Sequence, residues 1–231
     1  MPRPPGHGPG FEQRRQEIID EAARLFGERG YAATGVSDLC SAVRLGKGAL
    51  YYYIGSKEKL LVAIQNRVLE PLLLSTGRIA GLDVSAMVRL RMLSENLLSV
   101  ILSHLPHIWV YEHDYRHLTG DNRTQVVRQR RQFESMVRSL LQEAMEAGDI
   151  AEADPRLATL QFLNLHNHTY QWARASQPWS ASELSTAYFR TLMLGFGAKA
   201  SAVERAEATA TTLLNRLDAA TASPFAPAVA I

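Results

Sequence analysis

The sequence predicts an all-α protein in which short helices come first and a larger set of longer helices follows. Three observations carry this expectation. Apolar residues recur at three- and four-residue spacings along most of the 231 residues, the period of one helix face. β-Branched residues are sparse, and no Asn-Gly or Asp-Gly pair marks a hairpin. Glycine and proline fall between the periodic runs, where they end or start helices. No self-similar period of about 20 to 50 residues is visible, which argues against a solenoid.

From Phe11 to Arg29, Ile18, Ile19, Ala22, Ala23 and Phe26 line one face, with charged residues between them and Gly30 as a stop. Tyr31 to Ala33 is a connector and Thr34 a candidate N-cap; Val36, Leu39, Cys40 and Val43 form the next stripe. Arg44, Leu45 and Gly46 interrupt it before Lys47 to Tyr53. Ser56 with Lys57 then opens a long helix through Leu60, Leu61, Ile64 and Val68. Periodicity resumes from Val84 to Leu105. Pro106 suits a first helical turn, where its missing N–H costs little, and that helix is expected to run to about His117. Gly120 separates it from Asn122 to Ala147, ended by Gly148, and Asp154 with Pro155 starts a helix to Arg174. Pro178 and Ser180 introduce another, with Leu184, Ala187, Tyr188, Leu192 and Gly195 along one side. Glu204 to Ala220 is an Ala-rich helix ahead of a Pro- and Ala-rich tail.

Hydrophobic content of 46% and charged content of 21% are ordinary for a folded chain. The length suits one large domain or a small module joined to a larger one. The single cysteine, Cys40, closes no intramolecular disulfide and supports no thiolate zinc site. Its place in an apolar stripe predicts a buried small hydrophobe. Polar residues break every apolar stretch short of the ~18 to 20 needed to span a bilayer. Met1 to Gly10 has no apolar run after its arginine, so it reads as a disordered arm and not a signal peptide. A cytoplasmic protein with no membrane partner is expected. Net charge is +2, yet the run 44–59 holds Arg44, Lys47, Lys57 and Lys59 against Glu58 alone. This is a local excess of positive charge in one short segment.

That segment has the parts of a helix-turn-helix: two short helices, a tight turn, and a second helix that begins with lysine and small residues. A helix entering a major groove ~12 Å wide needs small or extended leading residues, and Lys47, Gly48 and Ala49 meet that need, with Ala49 suited to a thymine methyl. Tyr51 and Tyr52 are expected to reach backbone oxygens with their hydroxyls. Lys57 is expected to add charge near the next helix start, and the amides near Thr34 and Gly35 to receive a phosphate.

The run Phe26-x-x-x-Gly30-Tyr31-x-x-Thr34, then Val36-x-Asp38-Leu39, then Leu45-Gly46-Lys47-Gly48-Ala49-Leu50-Tyr51-Tyr52-Tyr53-Ile54-x-Ser56-Lys57-Glu58-x-Leu60 resembles the DNA-binding domain of TetR-family transcriptional regulators. The match spans roughly residues 11 to 65. Two positions depart from the family pattern: Gly46 stands where a serine N-cap is common, and Ile54 replaces a phenylalanine while still suiting a core. The resemblance implies a homodimer on double-stranded operator DNA and a divergent helical effector domain. The organisation expected is therefore an arm at 1–10, a three-helix helix-turn-helix DNA-binding domain at 11–58, a ligand-binding and dimerisation domain at 59–220, and a flexible tail at 221–231.

Reading a pseudo-palindrome takes two recognition helices ~34 to 36 Å apart, which a symmetric dimer supplies. The apolar helices 155–175 and 181–198, with Leu157, Leu160, Leu163, Leu184, Tyr188, Leu192 and Gly195, are the expected four-helix interface. Aromatic and histidine residues cluster at 106–117 and 164–172. Trp109 with His113, and His166 with Tyr170, share helix faces and are candidates to line a small-molecule cavity, core packing being the alternative. Arg128, Arg130 and Arg131 suit either a solvated face or an anionic ligand such as a CoA phosphate. Around Trp172, Pro178 and the helix with Gly195, the C-terminal half is diffusely similar to the acyl-CoA-responsive lipid and steroid catabolism repressors of the family. His113 and His117 have metal-compatible spacing but no H-E-x-x-H context, so no metal and no cofactor is expected. No nucleophile elbow or phosphate loop accompanies the histidines, which argues against an enzyme.

Overall fold

The computed structural model describes residues 9–174 and 176–220. Among these the regular structure is helical throughout: α1 (Pro9–Arg29), α2 (Val36–Val43), α3 (Lys47–Ile54), α4 (Lys57–Ala80), α5 (Ala86–Ser103), α6 (Leu105–His113), a 3-10 turn (Tyr115–His117), α7 (Gly120–Glu146), α8 (Pro155–Asn167), α9 (Thr169–Trp172), α10 (Ala181–Gly195) and α11 (Ala200–Ala220). The expected tail at 221–231 and most of the arm lie outside the described residues, while Pro9 and Gly10, assigned to the arm, open α1. No helix among the described residues is long and apolar enough to cross a membrane.

The described residues form two compact units, one from those up to 68 together with 106–127, the other from 69–105 together with those from 128 onward. This differs from the expected division at 58/59, which falls inside the first turn of α4. In the first unit the apolar stripes read from the sequence meet. Ile18, Ile19, Ala22, Ala23 and Phe26 of α1, Leu39 and Val43 of α2, Leu50 and Ile54 of α3, and Leu60, Leu61, Ile64 and Val68 of α4 are all buried. Each large apolar side chain of this kind contributes about 1.5 to 3 kcal/mol. Ile54 fills the core as expected, whereas Cys40 is only half-buried.

Residues 106–127 join this unit through buried Ile108, Val110, Tyr111, Leu118 and Val126. Specific polar contacts add to that packing. Gln65 donates to the Val110 carbonyl (3.2 Å), and His107 Nε2 lies 3.0 Å from Asp20.

In the second unit α5 packs against α8, α9, α10 and α11. Most of its 18 residues are buried, as expected of a helix apolar on all sides. Its polar residues are buried with partners. Arg91 meets Glu95 and Thr186 (2.9 Å each), and Asn96 donates to Ser75 (2.7 Å). Pro71 lies inside α4 and removes one backbone rung there, just past the point where that helix leaves the first unit.

Several boundaries shift for local reasons. Ser85 caps α5 by accepting the Val88 N–H, so the helix starts two residues after Val84. The helix begun at Leu105 ends at His113 and gives way to the 3-10 turn. The stretch expected as one helix to Arg174 divides at His168 into α8 and α9. The cap read at Asp154 is in place, accepting from Arg156 and Leu157, and Ser180, read as introducing α10, caps it by exchanging hydrogen bonds with Glu183.

Candidate nucleic-acid interface

α2 ends on Arg44 in the left-handed region (φ 54°), where the Leu45 amide folds back to the Cys40 carbonyl at 3.0 Å. The chain then turns through Gly46 and enters α3, whose first bond runs from the Leu50 N–H to the Gly46 carbonyl (2.9 Å). Leu50 and Ile54, four apart, are buried and fix the rotation of α3. Lys47, Gly48 and Ala49 are consequently exposed on its first turn, with open space around the Gly48 α-carbon. Tyr52 is 53% exposed and Tyr51 half-buried. Arg14 of α1 donates to the Val43 carbonyl (2.6 Å) at the C-terminal end of α2 and pairs with Glu17, which ties α1 to the turn.

Three residues assigned to DNA contact are otherwise engaged. Thr34 is buried; its hydroxyl and amide both donate to the Gly30 carbonyl (2.9 and 3.2 Å). The N-cap of α2 is Gly35, not Thr34, and the Gly35 amide donates to Asp38 (2.7 Å). The first-turn amides of Val36 and Ser37, which lack partners within a helix, are the donors this end offers. Lys57 donates its ammonium to the Tyr31 carbonyl (2.6 Å) and lies 4.1 Å from the centroid of the Tyr31 ring. Burial pulls its pKa below the ordinary lysine value against the opposing pull of Asp114. Lys57 therefore holds the connector after α1 in place.

Asp114 is the group that sequence inspection missed. Burial raises its pKa above the usual carboxylate range, opposed by His117, by the Tyr31 N–H it accepts, and by His113 and Arg116. Nearby, Glu58 accepts from the amide and hydroxyl of Thr119 (2.9 and 3.1 Å), and these bonds with Asn122 lower its pKa. His117 stacks on Tyr31 with centroids 5.3 Å apart. Tyr31 with Asp114 and His117, and Glu58 with Thr119 and Asn122, are about 60 to 90 positions apart, a separation at which helical periodicity carries no signal.

The candidate ligand residues divide between the two units. Trp109 and His113, in the first, stack at 4.3 Å, and His113 Nδ1 meets the Trp109 carbonyl at 2.9 Å. His166, in the second, is fully buried: its Nδ1–H donates to the Phe162 carbonyl (2.7 Å) and its Nε2 accepts from Ser94 (2.6 Å). Burial lowers its pKa to about 4. Both its nitrogens are thus engaged, and His166 is packed in the core of the second unit. Tyr170 is half-buried and accepts from Gln171 (3.3 Å). No group of three or more metal-binding side chains occurs among the described residues.

Of the candidate interface residues, Leu160 is 41% exposed and Gly195 is exposed, while Leu163, Tyr188 and Leu192 are half-buried. Leu184 is buried within its own chain, and Tyr188 bonds Thr169 (3.0 Å). Sequence reading passed over Leu194, 44% exposed, which shares a face with the exposed residues Ala187, Thr191 and Gly195; Leu157 on α8 is 56% exposed.

Two family models match: "Bacterial regulatory proteins, tetR family" over residues 18–64, and "Tetracyclin repressor-like, C-terminal domain" over 83–196. The crystal structure of the TetR family transcriptional regulator PfmR from Thermus thermophilus is 30% identical with a TM-score of 0.71, covering 77% of this chain and 97% of that one. The HTH-type transcriptional repressor KstR2 of Rhodococcus jostii is 30% identical over 53% of this chain and 60% of its own length. KstR2 of Mycobacterium tuberculosis is 24% identical over 79% of this chain and 92% of its own. AibR, solved in complex with isovaleryl coenzyme A and operator DNA, shares the fold at 23% identity with a TM-score of 0.71, covering 80% of this chain and all of that one.

Proposed function

The chain belongs to the TetR family of bacterial transcriptional regulators, and on that premise we propose that it is a cytoplasmic homodimeric repressor released from its operator by a small hydrophobic metabolite, an acyl-CoA among the candidates. The observation that carries the DNA-binding part is the exposed first turn of α3, Lys47–Gly48–Ala49, fixed in rotation by buried Leu50 and Ile54. Lys47 neutralises phosphate, Ala49 meets base edges, and the hydroxyls of Tyr51 and Tyr52 fix register.

Dimerisation is supported by the apolar surface of α8 and α10. Leu157, Leu160 and Leu194 are exposed beside small Ala187 and Gly195, a surface that suits helix packing between two copies. Effector control then needs only a differential affinity of ~1 to 3 kcal/mol between two dimer geometries to change operator affinity 5- to 150-fold. A shift of α4 transmits it.

The test is selection of bound duplexes from a random pool by the whole protein, followed by titration with acyl-CoAs. A dimer that enriches a palindrome and releases it on ligand addition is expected; a monomer, or no enrichment, overturns the proposal. Tyr51→Phe is expected to weaken all sequences alike and Ala49→Ser to alter base preference.

A further inference from the structure

We propose that Arg44, in the turn between α2 and α3, grips a backbone phosphate on the wall of the major groove that α3 occupies. The inference rests on the proposed docking of α3 and adds the preceding turn to the contact surface. Six of the described residues hold a positive φ, and five of them are glycine: Gly30, Gly55, Gly120, Gly148 and Gly197. Arg44 (φ 54°, ψ 46°) is the sixth. A side chain there brings Cβ against the following carbonyl oxygen, a cost that glycine escapes. The turn itself does not call for arginine. It closes on α2 through backbone atoms, the Leu45 N–H donating to the Cys40 carbonyl (3.0 Å) and the Arg44 N–H to the Ser41 carbonyl (3.4 Å), a helix ending whose left-handed residue is usually glycine.

What arginine adds lies in its side chain. Arg44 is exposed, and its guanidinium has no hydrogen bond, ion pair or ring partner among the described residues. A cation at the C-terminal end of a helix is favoured by the helix dipole, but that end of α2 already holds Arg14, whose guanidinium donates to the Val43 carbonyl at 2.6 Å. The unmatched guanidinium belongs to a residue three positions before Lys47, a link of at most about 11 Å. With Lys47 on the exposed first turn of α3 and a groove ~12 Å wide, Arg44 comes within reach of a groove wall, which is phosphate. A guanidinium takes two oxygens of one phosphate together, and an ammonium meets it as a point charge. Such a contact fixes the register of α3 and carries no sequence information of its own.

The probe is the highest-affinity duplex selected by the whole protein, intact or with single phosphates replaced by neutral methylphosphonates. Arg44→Gly is expected to melt about 2 to 4 °C above the wild type. It should bind about 5- to 10-fold more weakly per protomer at about 0.1 M salt, with the salt slope lower by about one per protomer on selected and random duplexes alike. Arg44→Asn, which also tolerates the left-handed region and carries no charge, should show the same losses, and Arg44→Lys should keep the slope. One methylphosphonate in each half-site should weaken the wild type and leave the Gly and Asn variants unaffected. Unchanged affinity and slope in both variants overturn the inference while leaving the proposed function intact, and so does an Arg44→Gly protein that melts below the wild type, since the arginine then serves the fold. Weaker binding without a phosphate position peculiar to the wild type overturns the contact, and an altered base preference overturns phosphate as its target. A whole chain that retains no duplex above random overturns both readings.

Discussion

The two compact units use polar side chains in opposite ways. In the first, Lys57, Glu58, Asp20 and Arg14 brace separate segments from partly exposed positions, and the residues left outward on α3 face solvent. In the second, Arg91, Ser94, Asn96 and His166 are buried along or against α5, where each lost partner leaves a desolvated group behind. The reading head thus tolerates change at its surface, while the second unit depends on polar groups no solvent can replace.

The largest expected effect follows from the buried ion pair. Arg91→Ala leaves the mostly buried Glu95 with only the long bond from Ser185 (3.4 Å) and should cost about 3 kcal/mol in urea titration; a loss below about 1 kcal/mol, the range of an exposed pair, would erase the contrast. Next comes acid sensitivity. His166 has an ordinary pKa of 6.5 and about 4 in the folded chain, so the unfolded chain takes up its proton first as pH falls. Its contribution is present in full above pH 6.5 and is lost on descending towards 4, about 3 kcal/mol in all. His166→Phe should flatten that limb of a stability–pH curve.

The two lysines sharpen the comparison within the first unit. Lys57→Ala should destabilise by about 1.5 to 3 kcal/mol through its lost charged hydrogen bond, with the salt slope of DNA binding unchanged. Lys47→Ala should leave the melting temperature within error and lower that slope by about one per protomer. Equal behaviour would return Lys57 to the DNA surface. Smallest is Gly46→Ser: no side chain caps α3 and space around Gly46 is open, so a gain of a few tenths of a kcal/mol is expected on thermal denaturation.

Most helices were legible because their determinants are local. The stripe of Leu39 and Val43, the four-residue step from Leu50 to Ile54, the cap at Asp154 and the helix start at Ser180 each lie within a turn or two of what they specify. The place of Lys47, Gly48 and Ala49 at the start of α3 was legible for the same reason. The bond of Lys57 was not, because its acceptor, the Tyr31 carbonyl, stands 26 positions earlier in the connector and no short-range pattern encodes it. The attachment of 106–127 to the first unit was hidden likewise: Gln65 reads as an interruption of an apolar stripe until Val110 is found opposite. Leu184 and His166 were assigned by helix face, yet a helix flanked on several sides buries more than one face.

Arg44 occupies a left-handed backbone position that glycine adopts without penalty. Thermal robustness would rise by about 1 kcal/mol were glycine substituted there, yet the substitution would delete a cation from the positively charged run 44–59. On the proposed docking, backbone ease and positive charge therefore favour different residues at this corner.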